Sequence, residues 1–328
     1  MKLEFTEGYL SKKEESVNLN ELGLQSAQSL IDAPDKFGVE LHSIAGCRVI
    51  DCGINARGGL AAGIMLAKVC LADLANVELC ESDPSTWQGP AVRVTSDHPV
   101  AACMGSQYAG WPISSEGFFG MGSGPMRAAR GRESLLDDIG INERPESAVG
   151  IIETNAIPST DVCQQIAEEC RVEAQQLTLL VARTASLAGT IQIVSRSIET
   201  ALHKMHELKF DIDRVKSGFG IAPLPPVAAN DIAAVGRTND AVLYGGEVTL
   251  WLTGNDESLE TIGPKIPSSS SPDYGQPFSS VFENYDRDFY KIDRLLFSPA
   301  VVTLVNLDTG SSHRYGETHP DVLLKSFT

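Results

Sequence analysis

A stripe of polar and ionisable side chains recurs at helical spacing in the second half of the chain. Its members are Gln192, Arg196, Glu199, His203 and His206. Arg196 and Glu199 stand at i and i+3, where two helical side chains are close enough to form an ion pair. A carboxylate beside a guanidinium is a candidate general base, and an ordinary surface salt bridge is the alternative. The histidines lack an obvious third ligand, so we predict no metal site.

An apolar stripe runs beside the polar one and indicates where it lies. Its members are Leu187, Ile191, Val194, Ile198, Leu202 and Met205. Their spacing predicts one continuous helix of about six turns, with Thr184 or Ser186 as its N-cap. Each polar residue lies about 100° around the helix from an apolar one. We therefore expect the polar stripe at the edge of a core, where a cleft can open.

Polar and small residues in glycine-rich loops are further candidates for binding a ligand. They are Asn55, Ser106, Gln107, Gly122, Ser123 and Gly124. The last three have Arg127 nearby, and backbone N–H groups in such a loop suit an anion or a planar ring. The loop lacks the Gly-Lys-Ser/Thr ending of a P-loop and the GxGxxG spacing of a dinucleotide site. Hydrogen bonding to a ligand and stabilisation of turns both remain open for these positions.

The composition indicates a folded protein and disfavours several classes of partner. Of 328 residues, 42% are hydrophobic, and 43 acidic against 26 basic residues give a formal net charge of -17. Because this field repels phosphate groups, we expect no nucleic-acid partner. The longest apolar stretch, residues 63–74, is too short and too polar to span a bilayer, so we expect no membrane association. Seven cysteines without CxxC spacing, and an N-terminus without signal-peptide features, favour free thiols and a cytoplasmic location.

Helical and strand-like patterns alternate along the chain, which predicts an α/β fold. Helices are expected from about Ser16 to Pro34, from Leu60 to Ala75 and from Thr160 to Cys170. Strands are expected at residues 39–44, 47–52, 77–80, 91–94, 149–153, 177–182, 241–252 and 300–307. Residues 98–124, which are rich in glycine and aromatic side chains, are expected to form a turn-rich connection or the wall of a ligand site.

Seven segments, in this order, carry a family resemblance across almost the whole chain. They are residues 49–55 (VIDCGIN), 96–107 (SDHPVAACMGSQ), 120–125 (GMGSGP), 184–193 (TASLAGTIQI), 196–200 (RSIET), 238–240 (TND) and 289–293 (FYKID). Together they resemble the methenyltetrahydromethanopterin cyclohydrolases. Arg183 before Thr184, and the triplet at residues 187–189, are similar to bacterial members of that family.

The resemblance implies reversible hydrolysis of a 5,10-methenyl pterin to its 5-formyl form, with no metal or redox cofactor. It also implies two closely packed α/β domains with a pocket between them, in a subunit that usually forms a homotrimer. We place the domains at residues 1–175 and 176–328, and either domain can be discontinuous. In this family an arginine and a glutamate three residues apart serve the active site, and they correspond to Arg196 and Glu199.

The implied chemistry needs a positioned water and a base, because the methenyl carbon of an amidinium-like cation is already electrophilic. We assign the base to Glu199. Arg196 either holds that carboxylate by a charge-assisted hydrogen bond or orients the water, and Gln192 either contacts the pterin or supports Arg196. A pterin-binding protein without catalysis and a cyclohydrolase for methenyltetrahydrofolate are the alternatives. The missing dinucleotide fingerprint disfavours a nicotinamide oxidoreductase.

Overall fold

The computed structural model describes residues 18–288 and 291–328. The start of the helix expected from about Ser16, and Phe289 and Tyr290 of the last resemblance segment, lie outside the described residues. Two mixed sheets of six strands each, together with helices, make up the described part. The predicted α/β fold is therefore confirmed.

The strands divide between the two sheets in an order that differs from their order in the chain. In chain order they are β1 (Glu40–Ile44), β2 (Cys47–Asp51), β3 (Asn76–Glu81), β4 (Pro90–Ser96), β5 (Trp111–Ser115), β6 (Phe118–Ser123), β7 (Ala148–Thr154), β8 (Leu177–Ala182), β9 (Val215–Pro223), β10 (Glu247–Leu252), β11 (Val301–Asn306) and β12 (Ser312–Gly316). The first sheet has the order β1-β2-β8-β7-β6-β5, and the second has the order β12-β11-β10-β9-β4-β3.

Each sheet takes strands from both halves of the sequence. The hairpin of β3 and β4 precedes residue 175, yet β4 pairs with β9 in the second sheet. Strand β8 follows residue 175, yet it pairs in parallel with β2 and β7 of the first sheet. A division at residues 175 and 176 therefore does not separate the two sheets.

The helices cover and connect the sheets. They are α1 (Leu19–Asp32), α2 (Pro34–Phe37), α3 (Leu60–Cys70), α4 (Met126–Arg130), α5 (Ser134–Asp138), α6 (Thr160–Cys170), α7 (Leu187–Val194), α8 (Ser197–Glu207), α9 (Asp231–Gly245), α10 (Asp256–Ile262), α11 (Phe278–Asn284) and α12 (Pro320–Phe327). A π-helix, Val100–Gln107, lies within the glycine-rich region. In the described ranges, no helix has both the length and the hydropathy that a bilayer span requires.

The six-turn helix predicted from the apolar stripe is interrupted, so that prediction was wrong in one respect. Helix α7 ends at Val194, and α8 begins after Arg196, which is its N-cap residue. At the break, Ser195 Oγ donates to the Gln192 carbonyl, and Gln107 Nε2 donates to the Ser195 carbonyl. These side-chain bonds compete with the helical ladder and divide the helix. The stripe from Ile191 to Met205 still lies in the core.

The strand predicted at residues 241–252 was also wrong over its first half. Residues up to Gly245 belong to α9, and only Glu247–Leu252 form β10. The Asn230 side chain caps α9 by accepting from the Ala233 amide. The segment 240–245 is buried on all sides, so its apolar run does not distinguish a helix from a strand.

Candidate active site

Arg196 lies where the two sheets meet. Helix α8, which it caps, packs against β9 and β10 of the second sheet. Its side chain points toward the first sheet, where Nη2 donates to Ser123 Oγ on β6 (3.2 Å) and to Glu153 Oε1 on β7 (3.0 Å). Nη1 donates to the carbonyl of Gln107 at the end of the π-helix. The guanidinium is thus fixed by three elements that are distant in sequence.

The ion pair of Arg196 is with Glu153 and not with Glu199. The predicted direct pair at i and i+3 is therefore absent, because the Arg196 side chain turns away from its own helix to reach β7. Burial alone would lower the pKa of the Arg196 guanidinium, but Glu153, Cys70 and Glu199 together raise that pKa above its ordinary value. Arg196 is consequently a permanent cation in the site.

Glu199 is a buried carboxylate that stays unpaired. It lies in the first turn of α8, is 5% exposed, and makes no hydrogen bond or ion pair with any residue in the described ranges. The pKa of the Glu199 carboxyl is raised to about 7, mainly by burial; Glu153 also raises it, whereas Arg196 and Arg127 lower it. A carboxyl whose pKa lies near neutral pH is suited to accept and return protons.

A second buried arginine lies close to the site. Arg127 on α4 forms a bidentate ion pair with Glu133 and donates from Nη1 to the Met104 and Ser106 carbonyls of the π-helix. Its guanidinium lies 5.0 Å from the centre of the Tyr108 ring, which stacks on His203 at 5.0 Å. The π-helix therefore supplies carbonyl acceptors to both buried arginines.

Three of the predicted ligand-binding residues meet around Arg196. Gln107 and Ser123 contact it directly, and Gln192 Nε2 donates to Cys70 Sγ, which lies 4.0 Å from Arg196 Nη2. The Oε1 atoms of Gln107 and Gln192 are buried and accept no hydrogen bond from the described residues. Buried amide oxygens are normally satisfied, so these two are available to donors of a ligand or of water.

The other predicted ligand-binding residues lie around the site, and their contact with a ligand stays a prediction. Ser106 Oγ donates to the Cys70 carbonyl (2.7 Å), and Asn55 is an exposed member of the loop after β2. A Cβ on Gly122 would lie 2.8 Å from Met126, and a Cβ on Gly124 would lie 2.8 Å from Ile151. The backbone of Gly124 also has a positive φ of 84°. These two glycines are thus required by close packing and by the turn.

The histidines of the polar stripe have partners other than a metal. His203 stacks on Tyr108, and His206 Nε2 lies 3.1 Å from Asp138 Oδ2. One group in the described ranges, Glu40 with His42 and Asp51, has metal-like spacing. The Asp51 carboxylate already accepts four backbone N–H groups, those of residues 53–56, so it has little capacity left for a cation.

A small cavity borders Arg196 on the side of α9. Its volume is about 50 Å³, and it is lined by Ile193, Arg196, Thr200, Thr238, Asn239, Val242, Leu243, Phe297 and Ser298. This volume holds ordered water but not a pterin, since ligand pockets span roughly 300–1,000 Å³. The segment 238–240 thus lies next to the site through Thr238 and Asn239.

Glu153, Cys70 and Tyr108 are site residues that the sequence reasoning missed. Glu153 carried a usable signal, because it is the charged residue at the end of an otherwise apolar strand. Polar residues at the carboxyl ends of strands often line ligand sites in α/β proteins. Cys70 and Tyr108 carried no comparable signal, since a thiol and an aromatic ring at such positions are usual members of a core.

Comparison with known proteins identifies the family. A family model described as Cyclohydrolase (MCH) matches residues 18–327. The chain belongs to this family. Relatives named methenyltetrahydromethanopterin cyclohydrolase include that of Rhodopirellula baltica, 47% identical over 290 residues that cover 87% of each chain. That of Methanosarcina mazei is 41% identical over 95% of this chain and 98% of its own. That of Xanthobacter autotrophicus is 43% identical over 85% and 83%. The resemblance stated from the seven segments is confirmed.

Proposed function

We propose that this chain catalyses the reversible hydrolysis of 5,10-methenyltetrahydromethanopterin to 5-formyltetrahydromethanopterin. The observation that carries the proposal is the buried, unpaired carboxylate of Glu199 beside the fixed cation of Arg196. The relatives that cover most of the chain bear the name of this activity. The strongly acidic chain also favours a cationic substrate over an anionic one.

The Glu199 carboxylate accepts the proton of the attacking water. As the water oxygen bonds to the methenyl carbon, one of its protons passes to Glu199 and the cation becomes a neutral hydroxy adduct. The bond from this carbon to the departing nitrogen then breaks, and the oxygen loses its second proton as the formyl C=O forms. One proton goes to the departing nitrogen and the other to solvent. A pKa near 7 suits Glu199 for both directions of transfer.

Arg196 positions the reacting oxygen. Nη1 and Nη2 are engaged with Gln107, Ser123 and Glu153, whereas Nε makes no hydrogen bond to a described residue. We assign this N–H to the attacking water or to the forming formyl oxygen, since a preorganised donor stabilises charge that develops there. The buried Oε1 atoms of Gln107 and Gln192 are suited to N–H donors of the pterin.

The assembly, location and cofactor requirement are part of the same proposal. We expect a homotrimer that needs neither a metal nor a redox cofactor, because the family resemblance implies these properties and the amidinium carbon requires no Lewis acid. We also expect a cytoplasmic location, because seven cysteines without CxxC spacing favour free thiols in a reducing compartment. Sedimentation velocity would measure the oligomeric state. Turnover that persists after dialysis against a strong chelator would support the cofactor assignment, and turnover restored only by added metal would contradict it.

A turnover assay tests the proposal directly. The full-length chain is mixed with methenyltetrahydromethanopterin, and separately with methenyltetrahydrofolate, and loss of the methenyl absorbance is followed. We expect hydrolysis of the methanopterin form and about 10²–10⁴-fold slower hydrolysis by Glu199→Gln, because a general base contributes roughly this factor. Activity on the folate alone would change the substrate, and near-normal turnover by a folded Glu199→Gln would remove Glu199 as the base.

A further inference from the structure

The site contains a second carboxylate, Glu153, whose position determines what Arg196 can do. Glu153 ends the apolar run of β7, and its side chain is 18% exposed while that of Arg196 is 8% exposed. The 3.0 Å bond from Arg196 Nη2 to Glu153 Oε1 has no counterpart at Glu199, although Glu199 lies in the first turn of the helix that Arg196 caps. On a helix, a pair at i and i+3 forms readily when nothing competes for it.

Two neutral groups assist Glu153 in holding Arg196. Ser123 Oγ accepts from Nη2 at 3.2 Å, and the Gln107 carbonyl accepts from Nη1. Neither carries a charge, so Glu153 supplies the electrostatic attraction that draws the guanidinium toward β7. Charge-assisted hydrogen bonds are roughly twice as strong as neutral ones.

We propose that Glu153 is a positioning residue of this site, which holds the Arg196 guanidinium away from Glu199 and so leaves the Glu199 carboxylate free to accept a proton. This inference rests on the proposed function, because it concerns a proton that Glu199 takes during hydrolysis. Glu153 acts through Arg196 and contacts neither the water nor the substrate.

The charges around Glu199 determine which way its pKa shifts when the Glu153 charge is removed. Arg196 and Arg127 favour the ionised form of Glu199, whereas burial and Glu153 disfavour it. Burial and Glu199 raise the pKa of the Cys103 thiol and of the Tyr108 hydroxyl, whereas Arg127 and Arg294 lower that of Tyr108 and Glu133 raises it. Removing the Glu153 charge releases Arg196 to approach Glu199, and it also removes a neighbouring negative charge that raises the Glu199 pKa. Both changes lower that pKa and make Glu199 a weaker base.

The test is the pH profile of kcat/KM for Glu153→Gln, which keeps the side-chain shape and removes the charge. We expect the acidic limb, set by Glu199, to move down by about one pH unit, because a guanidinium close to a carboxylate lowers its pKa by roughly this amount or more. The plateau value of kcat/KM should fall roughly 10- to 100-fold, since Arg196 no longer fixes the reacting oxygen. An acidic limb at the wild-type pH would overturn the proposal.

Two further variants distinguish a positioning role of Glu153 from a purely structural one. Glu169→Gln is the matched control, because Glu169 is 16% exposed and pairs with Arg130 on α4, away from Arg196. It should leave the pH profile unchanged. Glu153→Asp keeps the charge but shortens the reach toward Arg196, so it should shift the acidic limb downward by less than Glu153→Gln does. If Glu153→Gln fails to fold, a limb that Glu153→Asp shifts downward by a fraction of a unit supports the proposal, and an unmoved limb contradicts it.

A direct titration distinguishes failure of this inference from failure of the proposed function. Carboxyl ¹³C NMR of glutamate-labelled protein follows Glu199, whose signal is assigned by its absence in Glu199→Gln. A downward shift of that titration in Glu153→Gln supports the positioning role even if the methenyl pterin is not turned over. An unchanged titration contradicts it even if turnover is normal.

Discussion

Two buried arginines bind carbonyls of the same π-helix, yet their surroundings differ. Arg127 is fully buried and uses Nε, Nη1 and Nη2 for a bidentate pair with Glu133 and for two carbonyls. Arg196 has a single bond to Glu153 and lies beside a carboxylate that has no partner in the described ranges. The first arrangement satisfies every group around the cation, whereas the second keeps one acid unpaired.

Under the proposed function, this difference separates a structural ion pair from one that serves catalysis. The bidentate pair joins α4 to Glu133, the N-cap residue of α5, and the bonds from Nη1 join α4 to the π-helix. An incomplete pair beside an unpaired acid costs stability and is retained where a proton must move. We therefore expect changes at Arg127 to affect folding first, and changes at Arg196 to affect turnover first.

The largest expected effect is on the stability of Arg127→Met. This variant leaves Glu133 and the Met104 and Ser106 carbonyls without their buried cation. The free energy of unfolding should fall by about 3–5 kcal/mol, as for other buried pairs that lose one partner. Urea denaturation measures this loss. A variant as stable as the wild type would remove the structural role of Arg127.

Arg196→Lys should lower turnover more than it lowers stability, the reverse of Arg127→Met. Lysine keeps the charge near Glu153 but cannot reproduce the planar contacts with Gln107 and Ser123. We expect kcat to fall about 100-fold, equivalent to about 2.7 kcal/mol in the activation barrier, while the melting temperature changes by only a few degrees. Normal kcat per folded molecule, together with a large loss of stability, would reverse the distinction between the two arginines.

The smallest effect is a dependence of stability on pH at Glu199. Its pKa in the folded chain, about 7, lies above the roughly 4.3 of an unfolded glutamate, so ionisation disfavours the folded state. Stability is therefore lost as the pH rises from about 4.3 to 7. Glu199→Gln should be more stable than the wild type at pH 8 by about 2 kcal/mol, and the difference should shrink at pH 5. If Glu199→Gln and the wild type were equally stable at both pH 5 and pH 8, Glu199 would be paired in solution.

The sequence was most informative where a pattern is local. The run at residues 177–182 predicts a buried strand, and β8 occupies that position between β2 and β7. The apolar stripe from Ile191 to Met205 predicts a buried helical face, and these side chains lie in the core. Periodicity records which face a helix buries, so such predictions depend on neighbouring residues alone.

The sequence was least informative where contacts join distant segments. The helix breaks at Ser195 because Gln107, 88 residues away, donates to it. Arg196 is drawn from Glu199 by Glu153, 43 residues away. Spacing on one helix predicts which partners are within reach, but a stronger competitor from another strand decides which of them is bound. The family resemblance selected Arg196 and Glu199 but carried no information about that competitor.

The distribution of strands between the sheets also determines when the chain can fold. Strand β4, at residues 90–96, cannot gain its partner β9 until residues 215–223 have been synthesised. Strand β2 likewise waits for β8, more than 120 residues later. Such nonlocal pairing slows folding, because loop closure is costly before the contacts form. A nascent chain that ends near residue 175 therefore exposes the β3–β4 hairpin without its sheet, and neither half of the gene should yield a stable fragment.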